Sequence, residues 1–253
     1  STQLASMLPI LESEDCPDVS TLRSIVSSSA LLEQSVKERL IAKLGCEFHE
    51  MYGASEVATA TEINFTANPE KNGSVGKAFW KAEIEIADDN GKLLPAGEVG
   101  EILVKSPLAF KGYYKMPEKT KESFTTDGFF KTGDLGKLDE DGYLYFCGRK
   151  KELIITGAIN VYPPDVENVI MKIDGVKEVA AFAFPDDRLG EVVAVAIVPE
   201  EGKEVTKRDV QRFCVRNLAD FQQPHEIFFL KELPRNAMGK VVKSLLIDAL
   251  CDY

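Results

Sequence analysis

A chain of 253 residues that is 44% hydrophobic is long enough for one large domain or two ordinary ones, each with a real core. Its 30 Lys+Arg against 41 Asp+Glu give a net charge of −11, which argues against nonspecific binding to nucleic acid or an anionic membrane, so an anionic ligand must be met by local positive groups. The five cysteines, Cys16, Cys46, Cys147, Cys214 and Cys251, are odd in number and form no C-x-x-C pair, which disfavours a disulfide framework and a zinc site and fits reduced thiols in a cytoplasmic setting. No run of about 18 apolar residues predicts a membrane span, and a secreted reading has no support.

The chain lacks an initiator methionine and runs almost directly into patterned sequence, so it reads as a piece of something longer. Residues 21–29 predict a short buried strand ending in the small-residue turn Ser27, Ser28, Ser29, Ala30. A helix is expected over 33–44, where Val36, Leu40, Ile41 and Leu44 share a face and Gly45 supplies a stop. The next strand ends in Tyr52-Gly53-Ala54-Ser55-Glu56. An aromatic, a flexible backbone, a hydroxyl and a carboxylate at a strand end suit a ligand site of an open α/β sheet, and equally a plain turn.

From Gly73 the texture changes to short alternating strands at 82–87, 98–105 and a hairpin over 138–146 around Asp139-Glu140-Asp141-Gly142, which predict a small antiparallel barrel or sheet. Between them, residues 127–134 read as two glycine turns around Phe129 and Phe130, ending in Asp134, either a turn residue or a fixed carboxylate able to hold two ribose hydroxyls. Residues 148–167 combine a cationic turn (Arg149, Lys150, Lys151), a short apolar strand, a loop at Gly157 and a helix opened by Pro163 and Pro164. By itself this stretch is as much a linker as a ligand site.

The remainder is βαββαβ-like, with apolar strands at 176–184 and 192–198 and a helix over 207–219 capped by Thr206 with Asp209 at the capping-box position. A strand at 226–230 leads into Pro234-Arg235-Asn236-Ala237-Met238-Gly239-Lys240 and a closing helix from about Ser244. His49 and His225, the only histidines, read as structural.

Taken in order, these motifs resemble the adenylate-forming superfamily of acyl-CoA synthetases, nonribosomal adenylation domains and luciferases, most like fatty-acid or aryl-acid CoA ligases. Residues 27–32 resemble its adenine-flanking turn, 52–56 its aromatic-Gly-x-Thr/Ser-Glu motif, 132–134 its Thr-Gly-Asp motif, 148–167 its hinge and following loop, and 234–240 its terminal Pro-Arg-x-x-x-Gly-Lys. The resemblance implies an α/β and α+β fold. Residues 1–148 would be the C-terminal portion of the large AMP-binding domain (α/β to about 72, barrel-like from about 73), and residues 149–253 a small α+β mobile lid with a hinge at 149–151.

It also implies roles. Ser28, Ser29, Ala30, Tyr52, Gly53, Asp134 and Arg149 would bind nucleotide, and Ser55 would sit by the phosphates. Glu56 would help hold Mg2+, Lys240 would assist adenylation, Lys151 would be the hinge and Gly157 would line the CoA channel. Residues 57–61 would touch the acid. ATP, CoA and a carboxylic acid are the implied substrates.

Three departures stand out. Ser28, Ser29 and Leu31 stand where the adenine turn usually has glycines and a proline, Ala158 replaces a second glycine, and the family's Ser/Thr/Gly-rich phosphate loop does not occur. The first half of the large domain is therefore expected as a partner, in the same or a separate chain. An adenylation module loading a carrier protein, a non-catalytic nucleotide- or CoA-binding partner, and homo-oligomerisation stay open.

Overall fold

The computed structural model describes residues 2–28, 32, 34–236 and 239–250. The chain divides into two compact units, Ser1–Phe146 and Cys147–Tyr253.

The first unit opens with a helix that the sequence reading did not anticipate, α1 (Thr2–Leu11), then β1 (Ser24–Ser27), α2 (Gln34–Leu44), β2 (Glu47–Ala54), β3 (Ala58–Asn64) and β4 (Lys77–Ala78). The strands form one sheet in that order, β1 parallel to β2 and the rest antiparallel. A parallel neighbour requires a crossover, which α2 supplies. It stops at Gly45, whose positive φ of 61° ends the helix with its N–H on Ile41 O at 3.1 Å. Leu8 and Leu11 of α1, Leu40 and Leu44 of α2, and Phe48 and Ile63 of the sheet share one core.

Next come β5 (Glu83–Ala87), β6 (Gly100–Lys105), α3 (Pro117–Glu122), β7 (Phe130–Leu138) and β8 (Leu144–Arg149). They build a four-stranded sheet in the order β5-β6-β7-β8, and its Ile86, Ile102, Val104 and Phe130 pack with Ala60 of β3 and with Val57 just before it. The expected barrel closure is not found among the described residues. Leu144, at the start of β8, exchanges hydrogen bonds with Val75 and Gly76 (2.8 Å each), so that backbone is already paired and is not open to β5, whose end pairs instead with residues 92–94.

In the second unit a 3-10 turn at Lys150–Glu152 precedes the hairpin of β9 (Ile154–Thr156) and β10 (Ile159–Val161). Then follow α4 (Pro163–Ile170), β11 (Val176–Asp186), β12 (Gly190–Pro199), α5 (Lys207–Asn217), β13 (Glu226–Phe229) and α6 (Lys243–Leu250). The sheet runs β10-β9-β12-β11, with β13 parallel to β12. Residues 192–198 are apolar without alternation because both faces are covered. Val193, Val195 and Ile197 meet Val166, Ile170 and Val210 of α4 and α5, while Ala194, Ala196 and Val198 share a core with Leu246 of α6. The cap of α5 is as expected: Thr206 and Asp209 form a reciprocal capping box.

Candidate nucleotide and acyl-transfer site

In the first unit the Tyr-Gly-x-Ser-Glu stretch is the tip of a hairpin. Gly53 pairs with Thr59 and Ala54 with Ala58, leaving Ser55, Glu56 and Val57 as a three-residue loop followed by Ala58 at φ 58°. Gly53 is required sterically, since a Cβ there would lie 2.0 Å from Ala58 O. Ser55 is exposed and Glu56 half-buried. The motif residues predict a turn here, but the β3 strand beyond it has no signal of its own, because Ala58–Asn64 carries no clean apolar alternation.

The Thr-Gly-Asp stretch, expected as a turn, lies within β7 as a bulge. Glu101 pairs with Leu135 and Leu103 with Lys131, so three residues of β7 face only Ile102. Gly133 takes φ 70° at the bulge. Thr132 Oγ1 donates to Ile102 O at 2.8 Å and accepts from Asp134 N at 3.1 Å, and Gly133 N donates to Glu101 Oε1 at 3.2 Å. These bonds fix the direction in which Asp134 leaves the strand.

The two motifs meet. Tyr52 OH donates to Asp134 Oδ2 at 2.8 Å, and the Tyr52 ring lies 6.1 Å from that of Phe146 on β8. Ser28 is exposed just beyond β1, whose Ser27 pairs with Glu50 two residues before Tyr52, so Ser28 and Tyr52 share the C-terminal edge of the parallel pair. Ser29 and Ala30 lie outside the described residues.

Around Glu56 the contacts are dense. Tyr113 OH donates to Glu56 Oε1 at 2.9 Å, and Phe110 N donates to Glu56 O at 2.7 Å. Burial and the neighbouring Glu56 push the Tyr113 hydroxyl above the usual tyrosine range. Tyr113 was not singled out from sequence, and nothing local to residues 110–116 links them to residue 56. No cluster of three or more metal-ligating side chains occurs among the described residues. A lone carboxylate nonetheless suits Mg2+, which is commonly held by one or two carboxylates together with substrate phosphates.

In the second unit, Arg149 is exposed at the end of β8 and Lys151 is exposed in the 3-10 turn. Gly157 (φ 55°) and Ala158 (φ 70°) are the two central residues of the β9–β10 hairpin, as in a type I′ turn, with the exposed Ile155 and Ile159 flanking them. A Cβ on Gly157 would come within 3.0 Å of Leu189 Cδ2.

Lys240 is half-buried on a loop closed by an Arg235–Val241 bridge. Its N–H donates to Asn236 Oδ1 at 3.0 Å and its carbonyl accepts from Asn236 N at 2.9 Å. Arg235 donates to Gly239 O at 2.7 Å and pairs with Glu178 of β11, fastening the loop to the sheet. The pocket lined by Gln211, Cys214, Val215, Gln223 and Pro224 includes none of the candidate residues.

The first unit thus carries an aromatic–carboxylate pair at a parallel sheet edge, and the second, of α+β build, a lysine loop fastened to its sheet. The AMP-binding enzyme family model matches residues 2–114 and that of the AMP-binding enzyme C-terminal domain matches residues 165–240, together most of the chain. The chain belongs to this family of adenylate-forming enzymes.

A Bacillus subtilis long-chain-fatty-acid–CoA ligase is 34% identical over 91% of this chain and 41% of its own length. An Arabidopsis thaliana oxalate–CoA ligase is 36% identical over 89% of this chain and 44% of its own. ATP-bound MatB from Rhodopseudomonas palustris superposes with a TM-score of 0.88 at 35% identity, over 99% of this chain and 53% of that one. The chain thus spans less than half the length of these curated relatives and about half of the solved one.

Proposed function

We propose that this chain supplies the C-terminal part of an ATP-dependent carboxylate–CoA ligase. The acid's carboxylate attacks the α-phosphorus of ATP, giving acyl-AMP and pyrophosphate; the CoA thiol then attacks the acyl carbon, releasing AMP and the thioester. The observation that carries this reading is the hydrogen bond between Tyr52 and Asp134, which joins two nucleotide motifs 82 residues apart. The Bacillus subtilis relative MenE, solved with ATP and magnesium, superposes with a TM-score of 0.85 at 33% identity and supports it.

Tyr52 stacks on adenine beside the backbone of Ser28. Gly53 lets the chain approach closely, Ser55 lies at the phosphates, and Asp134 accepts the ribose hydroxyls. Glu56 is the residue that would hold Mg2+, whose chemistry is to offset phosphate charge. Arg149 assists at the nucleotide, and Lys240 meets the negative charge that builds on the α-phosphate. The unit carrying Lys240 turns about Lys151 between half-reactions, and Gly157 then borders the thiol channel, where a side chain would intrude. The phosphate-loop motif, which these 253 residues do not contain, comes from another part of the working enzyme, on the same polypeptide or a separate one. A cytoplasmic setting suits Cys16, Cys46, Cys147 and Cys214, which form no disulfide among the described residues.

A second acceptor is favoured by one relative. A Streptomyces coeruleorubidus fatty acid–[acyl-carrier-protein] ligase is 34% identical over 91% of this chain and 45% of its own length. Pyrophosphate release and thioester formation with CoA against carrier protein, in the complete enzyme, separate the two. In the same enzyme Lys240→Ala is expected to lower the adenylation rate by roughly 100-fold or more while supplied acyl-AMP is still thiolated at a near-normal rate. Equal loss of both steps refutes the assignment.

A further inference from the structure

Glu56 sits on a three-residue hairpin tip, and a single carboxylate on such a tip has rotamer freedom unless something holds it. Two contacts from one loop do so: Phe110 N–H on its main-chain oxygen at 2.7 Å, and Tyr113 O–H on Oε1 at 2.9 Å. The loop is itself anchored. Tyr113 N donates to Thr120 Oγ1 at 2.9 Å, which donates to Met116 O at 2.8 Å. Gly112, at φ 142°, passes so close to Thr120 that a Cβ would lie 2.6 Å from its Cγ2. The Phe110 ring meets Tyr113 edge-on at 4.8 Å and packs on Phe124 at 6.0 Å and Phe130 at 5.8 Å. Phe130 is buried at the head of β7, the strand that carries Asp134.

We infer that Tyr113 is a positioning residue for the metal-binding carboxylate: its hydroxyl engages Oε1 of Glu56 and turns Oε2 outward for Mg2+ arriving with the nucleotide phosphates. The inference rests on the proposed role of Glu56. Partners of this kind, which hold a ligating group without touching the metal, typically change metal affinity by about 10–100-fold when lost. Their effect is on metal binding more than on stability, because one hydrogen bond contributes little to the fold.

The test is a Mn2+ titration followed by electron paramagnetic resonance, with a non-hydrolysable ATP analogue and the complete ligase containing this chain. Tyr113→Phe, which keeps the ring and deletes the hydroxyl, is expected to weaken Mn2+ binding by about 10–100-fold. Lys119→Met removes the ammonium 4.5 Å above the same ring but leaves the hydroxyl, and is expected to bind Mn2+ as the parent does. Glu56→Gln provides the reference. If Glu56→Gln leaves Mn2+ affinity unchanged, the metal role of Glu56 falls and the inference with it. If Glu56→Gln weakens binding but Tyr113→Phe does not, only the inference falls. An equal shift in Lys119→Met would assign the effect to the loop rather than the hydroxyl and overturn it too. Urea midpoints of all variants, taken alongside, exclude loss of the fold as the cause of a shift.

Discussion

Ala158 holds a backbone conformation that L-residues avoid, φ 70°, at the second centre of the β9–β10 turn. The strain is of about 1–2 kcal/mol in the left-handed region. Ala158→Gly removes it, while glycine's greater freedom in the unfolded chain returns roughly 0.5–1 kcal/mol. The net expectation is a variant more stable by up to about 1.5 kcal/mol, read as a rise of a few degrees in thermal melting; a fall in Tm would show that the alanine methyl makes a contact worth more than the strain. At this scale the sequence was half legible. It marked Ala158 as a departure from glycine but not the type I′ geometry that gives the departure a cost. Gly53 is the converse case, since its need for no side chain comes from Ala58 across the hairpin, five residues on.

Among the elements, α2 and β2 are joined by a pair that propensity does not foresee. Lys37 Nζ and Glu50 Oε2 lie 2.5 Å apart with side chains only 5% and 3% exposed, and the ammonium also sits 3.8 Å over the Phe65 ring. Removing one partner of such a pair leaves an uncompensated buried charge. Lys37→Ala is therefore expected to destabilise by about 3–5 kcal/mol, whereas Lys37→Met with Glu50→Leu should recover most of that, both read from urea midpoints. A double variant as unstable as the single one would show that the pair holds α2 through geometry rather than charge balance. Glu50 is the register partner of buried Ser27, the last residue of β1 before Ser28. The helix pattern over 33–44 was readable from Leu40 and Leu44, but Lys37 on the buried face runs against binary patterning and only the packed structure accounts for it.

Across the whole molecule, the division at Phe146 and Cys147 lies just before the exposed Arg149, Lys150 and Lys151. If this stretch is the hinge, limited trypsin digestion should cut there first and leave two fragments that resist further cleavage. First cleavage at Lys203 or Lys207 instead would count against it. The sequence by itself determined what local chemistry dictates: the Thr206–Asp209 capping box, the stop at Gly45, the apolar strand at 192–198, and the order of motifs that marks the family. These signals act over a few residues, so they survive without the fold. Only the tertiary structure decided the open sheet, because whether β8 pairs with β5 or with residues 75–76 depends on two segments far apart in the chain. It also decided the hydrogen bonds from Tyr52 to Asp134 and from Tyr113 to Glu56, across 82 and 57 residues. A contact at such separation is set by how sheets pack and where a bulge turns a strand, and no periodicity or turn signal near either partner encodes it.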